Sequence, residues 1–329
     1  MITVIIVTAE NAAYLRQTLV ALSRIARPCP FKLLVVHNSD DQATRDVVGE
    51  LKNRLPLHYM HEPRRGKNWG CNAAIPHIEG ELAIFIDDDI IPAEDWLERM
   101  LEAARANPDY DIFGGRIVPL WPRQPDPWIL EWVPLGFTYA LTTGDQPEGP
   151  IAAKLVWGPN MAVRPRVFAA GHRFDPAIGP NGTATFIMGS EIEFLERLER
   201  IGYRAWHVRS AVVQHVLREH QLDREWIIAR AFRGGRGLYR LERNRAGRGN
   251  GSLLADIHDI YRIARPMPRE VWRLGLHRLR GDGRLAFKAE WNIAMWSGKL
   301  VEAVSQLRGD RRGQSTRGEK APVSHVPES

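Results

Sequence analysis

The chain has 329 residues, 44% hydrophobic and 26% charged, with a formal net charge of +6. That composition is ordinary for a globular protein and allows one large domain with an extension, or two domains. Its two cysteines, Cys29 and Cys71, argue against a disulfide framework or a cysteine-rich zinc site. No stretch approaches the ~20 apolar residues needed to span a bilayer. The basic surplus lies towards the C-terminal third and suits anionic partners: nucleotide phosphates, anionic lipid headgroups or nucleic acid.

Residues 2–7 read as a buried strand. The run from Met1 has no basic n-region and is too short for a signal peptide, so a cytoplasmic location is expected, with peripheral contact at the inner face of the membrane. Asn11 is placed to cap a helix whose Leu15, Leu19, Leu22 and Ile25 recur at helical spacing. Phe31 to Val36 is a second strand, followed by His37-Asn38-Ser39-Asp40-Asp41 and a helix striped with Val47, Val48, Leu51 and Leu55. Asp40 reads as that helix's cap. A third strand starts near Leu57, a helix spans Asn68 to His77, and a fourth strand covers 82–86. Strand alternating with helix in this way predicts an α/β fold, a mostly parallel sheet with helices on both faces. Thr8-Ala9-Glu10-Asn11 follows strand one where a Walker or Rossmann loop would be glycine-rich, which disfavours classical dinucleotide binding.

The fourth strand, Leu82-Ala83-Ile84-Phe85-Ile86, runs straight into Asp87-Asp88-Asp89. An apolar run of this kind is a strand buried on both faces, and the carboxyl ends of such strands are where open α/β sheets bind ligands. Side chains alternate in extended chain, so Asp87 and Asp89 share a face and Asp88 points away. Two hard oxygen donors on one face suit Mg²⁺ or Mn²⁺ with a diphosphate completing the shell. The plainer reading is an acidic turn complementing the next helix. Three carboxylates at a buried strand end repel one another unless a cation or strong donors lie nearby, which favours the metal–diphosphate site.

Asp95 to Ala106 is an amphipathic helix, and 112–118 a strand. Residues 119–150 carry seven prolines and Trp121, Trp128 and Trp132. Their aromatics either stack on a sugar or acyl chain or pack on one another as a satellite core. Leu155 to Val163 reads as strand. Gly189-Ser190-Glu191-Ile192-Glu193 opens a helix ending at Gly202, in which Ser190 with Glu193 reads as a capping box and Glu191 as the first helical position. Tyr203 to Val208 and Ala211 to His215 read as two strand segments. From Arg224 the chain is helical and basic, with Arg233, Arg236, Arg240, Arg243, Arg245 and Arg248 around Gly234, Gly235 and Gly237. Residues 252–304 form a further helical stretch bearing Trp272, Trp291 and Trp296. Beyond Gln306 the polar, aperiodic sequence reads as a disordered tail.

These motifs together resemble the GT-A-fold, family 2 glycosyltransferases, over residues 2–240. The resemblance rests on Val4 to Thr8, Leu34 to Asp40, Arg65-Gly66-Lys67-Asn68-Trp69-Gly70-Cys71-Asn72, Phe85 to Pro92, Trp157-Gly158-Pro159-Asn160-Met161-Ala162, Gly189 to Phe194, and Ala211 to His215. It implies an inverting, metal-dependent enzyme moving sugar from a nucleotide-diphosphate sugar to a glycan, lipid-linked or small-molecule acceptor. By resemblance, Thr8, Glu10, Asn38, Asp40, Gly66, Lys67, Asn72, Asp87 and Asp88 bind the nucleotide. Asp87, Asp89 and His215 hold Mn²⁺ or Mg²⁺. Trp157, Gly158 and Asn160 line the acceptor side, and Glu191 is the catalytic base with Glu193 in reserve. Where the family often has an Asp that reads uracil, this chain has His37.

The implied organisation is a catalytic domain at 1–223, with donor half 1–92 and acceptor half 112–215, then a basic helical extension at 224–305 and a tail at 306–329. The extension either lies on an anionic bilayer or caps the catalytic domain. Two alternatives stand beside this reading. One is a nucleotidyltransferase, which also uses strand-end carboxylates; the other is a non-enzymatic basic adaptor for membrane or nucleic acid. No motif for specific nucleic-acid binding occurs.

Overall fold

The computed structural model describes residues 1–25, 30–142, 144, 146–246 and 253–317. Cys29, Arg248 and the tail from residue 318 lie outside the described residues. Two compact units are present, Met1–Arg230 and the residues from Ala231 onward.

The first unit begins with β1 (Ile2–Thr8), α1 (Ala12–Ile25), β2 (Phe31–His37), α2 (Gln42–Leu51), β3 (Leu57–His61), α3 (Lys67–Ala74) and β4 (Leu82–Ile86). It continues with β5 (Ile90–Pro92), α4 (Trp96–Ala106), β6 (Ile112–Leu120), α5 (Pro127–Trp132), α6 (Leu135–Tyr139), β7 (Gly149–Ile151), β8 (Met161–Val163), α7 (Pro165–Ala169), α8 (Ser190–Arg200) and β9 (Ala205–Val216). Then α9 (Arg224–Arg245) runs on past Arg230 into the second unit, which continues with α10 (Leu253–Ala264), α11 (Met267–Leu279) and α12 (Gly283–Arg317). The division thus falls inside α9 rather than at its start.

The strands form one sheet in the order β3-β2-β1-β4-β8-β6-β9-β5, with β7 also on β9. The half from β3 to β4 is parallel, as alternation predicted. Beyond β4 the sheet is mixed, because β8 pairs antiparallel with both β4 and β6, and β9 pairs parallel with β6 but antiparallel with β5 and β7. β8 and β5 are three-residue strands; β5 follows β4 directly after the acids, and β8 is reached from β6 through α5, α6 and β7.

β1 and β4 are buried along nearly their whole length, which explains their continuous apolar sequence. Their registers align Thr8 with His37, and Ile6 with Ile86, so the loops after β1, β2 and β4 meet at one edge. Under the sheet, Phe174 stacks on Phe194 at 4.1 Å between centroids and meets Phe85 edge-on at 5.3 Å.

Local expectations are refined in several places. The segment 155–163 is strand only from Met161, with 3₁₀ turns at Ala153–Leu155 and Gly158–Asn160, the second favoured by Gly158 and Pro159. β9 is one strand rather than two, with a register shift opposite Gly115 and Arg116. The 119–150 region contains α5, α6 and β7, and its aromatics take the satellite-core form: Trp121 meets Tyr139 edge-on at 5.4 Å, Tyr139 stacks on Trp226 at 5.8 Å, and Trp128 lies 6.1 Å from Trp132. The last helix extends to Arg317, beyond the expected tail boundary.

In the second unit, α9 and α12 cross at glycines. A Cβ on Gly235 would stand 2.0 Å from the Met295 carbonyl oxygen, and one on Gly298 2.0 Å from that of Phe232. Arg236 and Arg240 both bond the fully buried Glu302, and Arg243 bonds Asp256. No helix among the described residues is long and apolar enough to cross a membrane.

Candidate active site

The acids at the end of β4 separate as alternation predicted. Asp88 turns towards β1 and accepts from Thr8 Oγ1 at 2.5 Å and from Asn11 Nδ2 at 3.4 Å. Burial and the charge of Asp89 push its carboxyl up to about 7. Asp87 and Asp89 share the other side with His215, and one ligand atom from each lies within 4.8 Å of the others.

The strand pairing accounts for that meeting. Directly after the acids, β5 pairs antiparallel with β9, placing Ile90 opposite His215. Val216 N–H then donates to the Asp89 carbonyl at 2.9 Å. His215 Nδ1 bonds the Tyr139 carbonyl at 2.8 Å, which assigns its proton to Nδ1 and turns Nε2 towards Asp89, 3.4 Å away. Arg218 Nη2 lies 3.4 Å from Asp89 Oδ2 and 3.3 Å from Asn11 Oδ1, its guanidinium 4.4 Å over the Tyr14 ring. Burial pushes the Asp89 carboxyl up, but His215, Arg218 and Lys67 outweigh it and hold it below the usual range. His215 is shifted upwards: its burial opposes charge, and Asp89 overcomes that opposition.

Asp89 Oδ1 is buried and takes no hydrogen bond. A buried carboxylate oxygen without a donor, beside a second carboxylate and an imidazole nitrogen, fits a divalent ion such as Mn²⁺.

A cleft of about 310 Å³ opens over this cluster. Thr8, Glu10, Asn38, Gly66, Lys67, Asp87, Asp88 and Asp89 line it, with Asn11, Ser39, Arg65, the 180–182 turn and Arg218. Glu10 adopts φ +57°, a left-handed conformation uncommon for a side-chain-bearing residue, and its carboxylate lies 3.3 Å from Arg65.

Several expected nucleotide contacts have other work. Asn38 Nδ2 donates to the Glu62 and Arg64 carbonyls and its Oδ1 accepts from Gly66 N–H at 2.7 Å, so it braces the loop before α3. Asn72 lies outside the cleft, exchanging hydrogen bonds with the Phe174 backbone at 2.9 and 3.0 Å. Asp40 is 87% exposed beside His61 and Arg45 and outside the cleft. The cap of α2 is Asp41, which accepts from Thr44 N–H at 2.8 Å. His37 is fully buried, bonded to Tyr59 on one nitrogen and to Ser39 and Asp41 on the other.

A second pocket of about 160 Å³ adjoins the first and shares Lys67, Asp87 and Pro180 with it. Phe137, Val156, Trp157, Gly158, Met188, Glu191 and Arg230 are among its walls. Asn160 is not: it is fully buried, accepts from Trp96 Nε1 at 2.9 Å, and donates to the Arg116 and Ala211 carbonyls, bracing the β6–β9 irregularity.

Glu191 lies in the first turn of α8, one position later than expected, because Gly189 at φ +106° occupies the cap. The expected capping box does not form. Ser190 Oγ instead donates to Glu191 Oε2 at 2.7 Å, and Glu193 pairs with Arg197 at 3.0 Å. Lys67 Nζ reaches Glu191 Oε1 at 2.6 Å and Asp87 Oδ1 at 2.5 Å. Burial pushes the Glu191 carboxyl up, but Lys67 and Ser190 bring it down to about 2.

Sequence reasoning missed the site roles of Arg218 and Asn11. The signal for Arg218 was its position three residues after His215, just past the end of the strand that carries it.

A mixed α/β sheet with acids at the carboxyl edge of β4, followed along the chain by a helical C-terminal region, matches the fold of GT-A glycosyltransferases. The chain belongs to glycosyl transferase family 2, whose family model matches residues 3–171. A glucosyl-dolichyl phosphate glucuronosyltransferase of Haloferax volcanii is 24% identical over 210 residues, 62% of this chain and 64% of that protein. The chain therefore spans less than two thirds of that relative's length. The succinoglycan biosynthesis protein ExoM of Rhizobium meliloti is 25% identical over 244 residues, 69% of this chain and 71% of its own length. Among solved structures, a mannosyltransferase from Pyrobaculum calidifontis in complex with GDP-Man and Mn²⁺ superposes with a TM-score of 0.54 at 17% identity, covering 96% of this chain and 79% of that one. S. aureus TarS in complex with UDP-GlcNAc superposes with a TM-score of 0.52 at 15% identity, covering 88% and 90%. At such identities the superpositions speak for the fold.

Proposed function

We propose that this chain is an inverting, metal-dependent glycosyltransferase that moves a sugar from a nucleoside-diphosphate sugar to a hydroxyl of a glycan, lipid-linked or small-molecule acceptor. The observation that carries the reading is the meeting of two pockets at Lys67 and Asp87, one lined by Asp87 and Asp89, which cluster with His215, and the other by Glu191. The 1–92 half binds the donor, and the 112–215 half builds the acceptor side.

Asp87, Asp89 and His215 would hold Mn²⁺ or Mg²⁺, with the imidazole favouring Mn²⁺. Bound there, the ion would neutralise charge developing on the departing diphosphate. Glu191 takes the proton from the acceptor hydroxyl, whose oxygen bonds to the anomeric carbon. The bond from that carbon to the diphosphate oxygen breaks, and its electron pair leaves with the nucleoside diphosphate. Glu193, tied to Arg197 and lining neither pocket, is disfavoured as base.

Among the described residues no feature favours the alternatives. Arg236, Arg240 and Arg243, which suggested a basic adaptor surface, are paired within their own unit. Peripheral contact at the cytoplasmic face of a membrane is supported instead by Tyr261, Trp272 and Leu279, exposed at 63%, 65% and 89% on α10 and α11.

The test is donor hydrolysis and transfer across a nucleotide-sugar panel with Mn²⁺, Mg²⁺ or EDTA, alongside Asp89→Ala and Glu191→Ala. Metal-dependent release of one nucleoside diphosphate, lost in both variants, is the expected result. Turnover that persists in EDTA would overturn the metal dependence, and an active Glu191→Ala would move the base elsewhere.

A further inference from the structure

Among the described residues, Lys67 is the one cation that lines both pockets. Its backbone is anchored on either side: Gly66, at φ +135°, donates to Asn38, and Lys67 N–H donates to the Pro180 carbonyl at 2.9 Å. The ammonium has three donors on a flexible stem, and Asp87 and Glu191 engage two of them.

Both carboxylate oxygens of Glu191 are occupied, Oε1 by Lys67 and Oε2 by Ser190. Gly158 closes against the same group, since a Cβ there would stand 2.5 Å from Oε1. Each oxygen keeps a lone pair for an acceptor hydroxyl, but a carboxylate paired to an ammonium at 2.6 Å is a weak base. Withdrawal of that cation strengthens it. Ser190 adjoins it in sequence and is buried, whereas Lys67 approaches from another element and borders the donor cleft.

We propose that Lys67 is a positioning residue that couples the two pockets, its ammonium moving from Glu191 to the donor's diphosphate and so freeing the base only when a donor is in place. This rests on the glycosyltransferase reading and deepens it. A diphosphate carries more charge than one carboxylate and takes charge-assisted hydrogen bonds from ammonium groups. The handover orders the reaction, donor before acceptor proton transfer, and changes no covalent bond.

The test is a double-mutant cycle on nucleoside diphosphate binding, read by calorimetry with UDP, GDP, ADP, CDP and dTDP, each with Mn²⁺. If Glu191 competes for Lys67, Glu191→Gln frees the ammonium and tightens diphosphate binding at least about threefold, within the range of coupling between contacting residues. In a Lys67→Met background the same substitution has at most the residual effect of removing a negative charge. Lys67→Arg, which keeps the cation, retains the coupling. Should Lys67→Met not fold, as judged by its circular dichroism melt, Lys67→Gln takes its place. Equal effects of Glu191→Gln in both backgrounds, or a weakening in the first, overturn the handover while leaving the glycosyltransferase reading intact. Wild-type protein that binds none of the five diphosphates overturns that reading, and the handover with it.

Discussion

His215 and Asp89 face each other with Nε2 and Oδ1 3.4 Å apart, although one closes the last strand of the sheet and the other follows the fourth. The antiparallel pairing of β5 with β9 joins them, and the Tyr139 carbonyl orients the imidazole. Ligand-orienting partners of this kind commonly matter for affinity nearly as much as the ligands.

Asp89→Asn keeps the shape of the side chain and removes its charge. Changing partners outside a metal's own shell costs roughly 10–100-fold, so a direct ligand is expected to cost at least about 100-fold in metal-stimulated turnover. Mn²⁺ binding followed by calorimetry should weaken in parallel, with the fold retained by circular dichroism. Unchanged Mn²⁺ binding would remove Asp89 from the metal site.

Gly158→Ala places a methyl group against the Glu191 carboxylate, 2.5 Å from Oε1 and 2.7 Å from Cδ. The proposed base must shift, and an ångström of misplacement can cost about 100-fold in rate. Turnover number should fall while nucleoside diphosphate binding, measured separately, is no weaker than in the wild type. A loss confined to nucleotide binding would contradict the placement of Glu191 in the acceptor pocket.

Asp41→Ala removes the cap of α2 and is expected to lower stability by about 0.5–2 kcal/mol in chemical denaturation. Asp40→Ala, at an exposed position beside it, is expected to leave both stability and nucleotide binding near wild type. Reversed effects would mean that the cap lies one residue earlier.

Glu302 is fully buried between Arg236 and Arg240. Burial pushes its carboxyl up, but Gln306 and the two arginines prevail and hold it below the ordinary value. A depressed carboxylate contributes stability that is present above its unfolded pKa and lost as pH falls through the folded one. Acid should therefore destabilise the second unit below about pH 4, the unfolded glutamate range. Glu302→Ala leaves two arginines facing a missing charge and is expected to cost about 3–5 kcal/mol at neutral pH. In thermal melts from pH 7 to pH 3, that variant should also lose part of the acid dependence seen in the wild type; identical slopes would contradict the assignment.

The sequence by itself determined the alternating α/β framework, the strand-end acids and the split between Asp88 and its two neighbours. Each of these follows from local periodicity or from a motif whose residues lie close together in the chain, whereas His215 was joined to the acids only by the family resemblance. Only the tertiary structure decided the roles of Asn38, Asn72 and Asn160. Their amides satisfy backbone groups brought near by folding, and a polar side chain carries no local sign of which distant carbonyl it will meet. The move of the cap from Asp40 to Asp41, and of Glu191 from the first helical position to the second, turned on the conformation of a single neighbouring residue. The Lys67 bridge belongs to the same class. An ammonium at the start of one helix and a carboxylate at the start of another come within 2.6 Å because the sheet aligns the loops that carry them, and that alignment is a property of the assembled sheet.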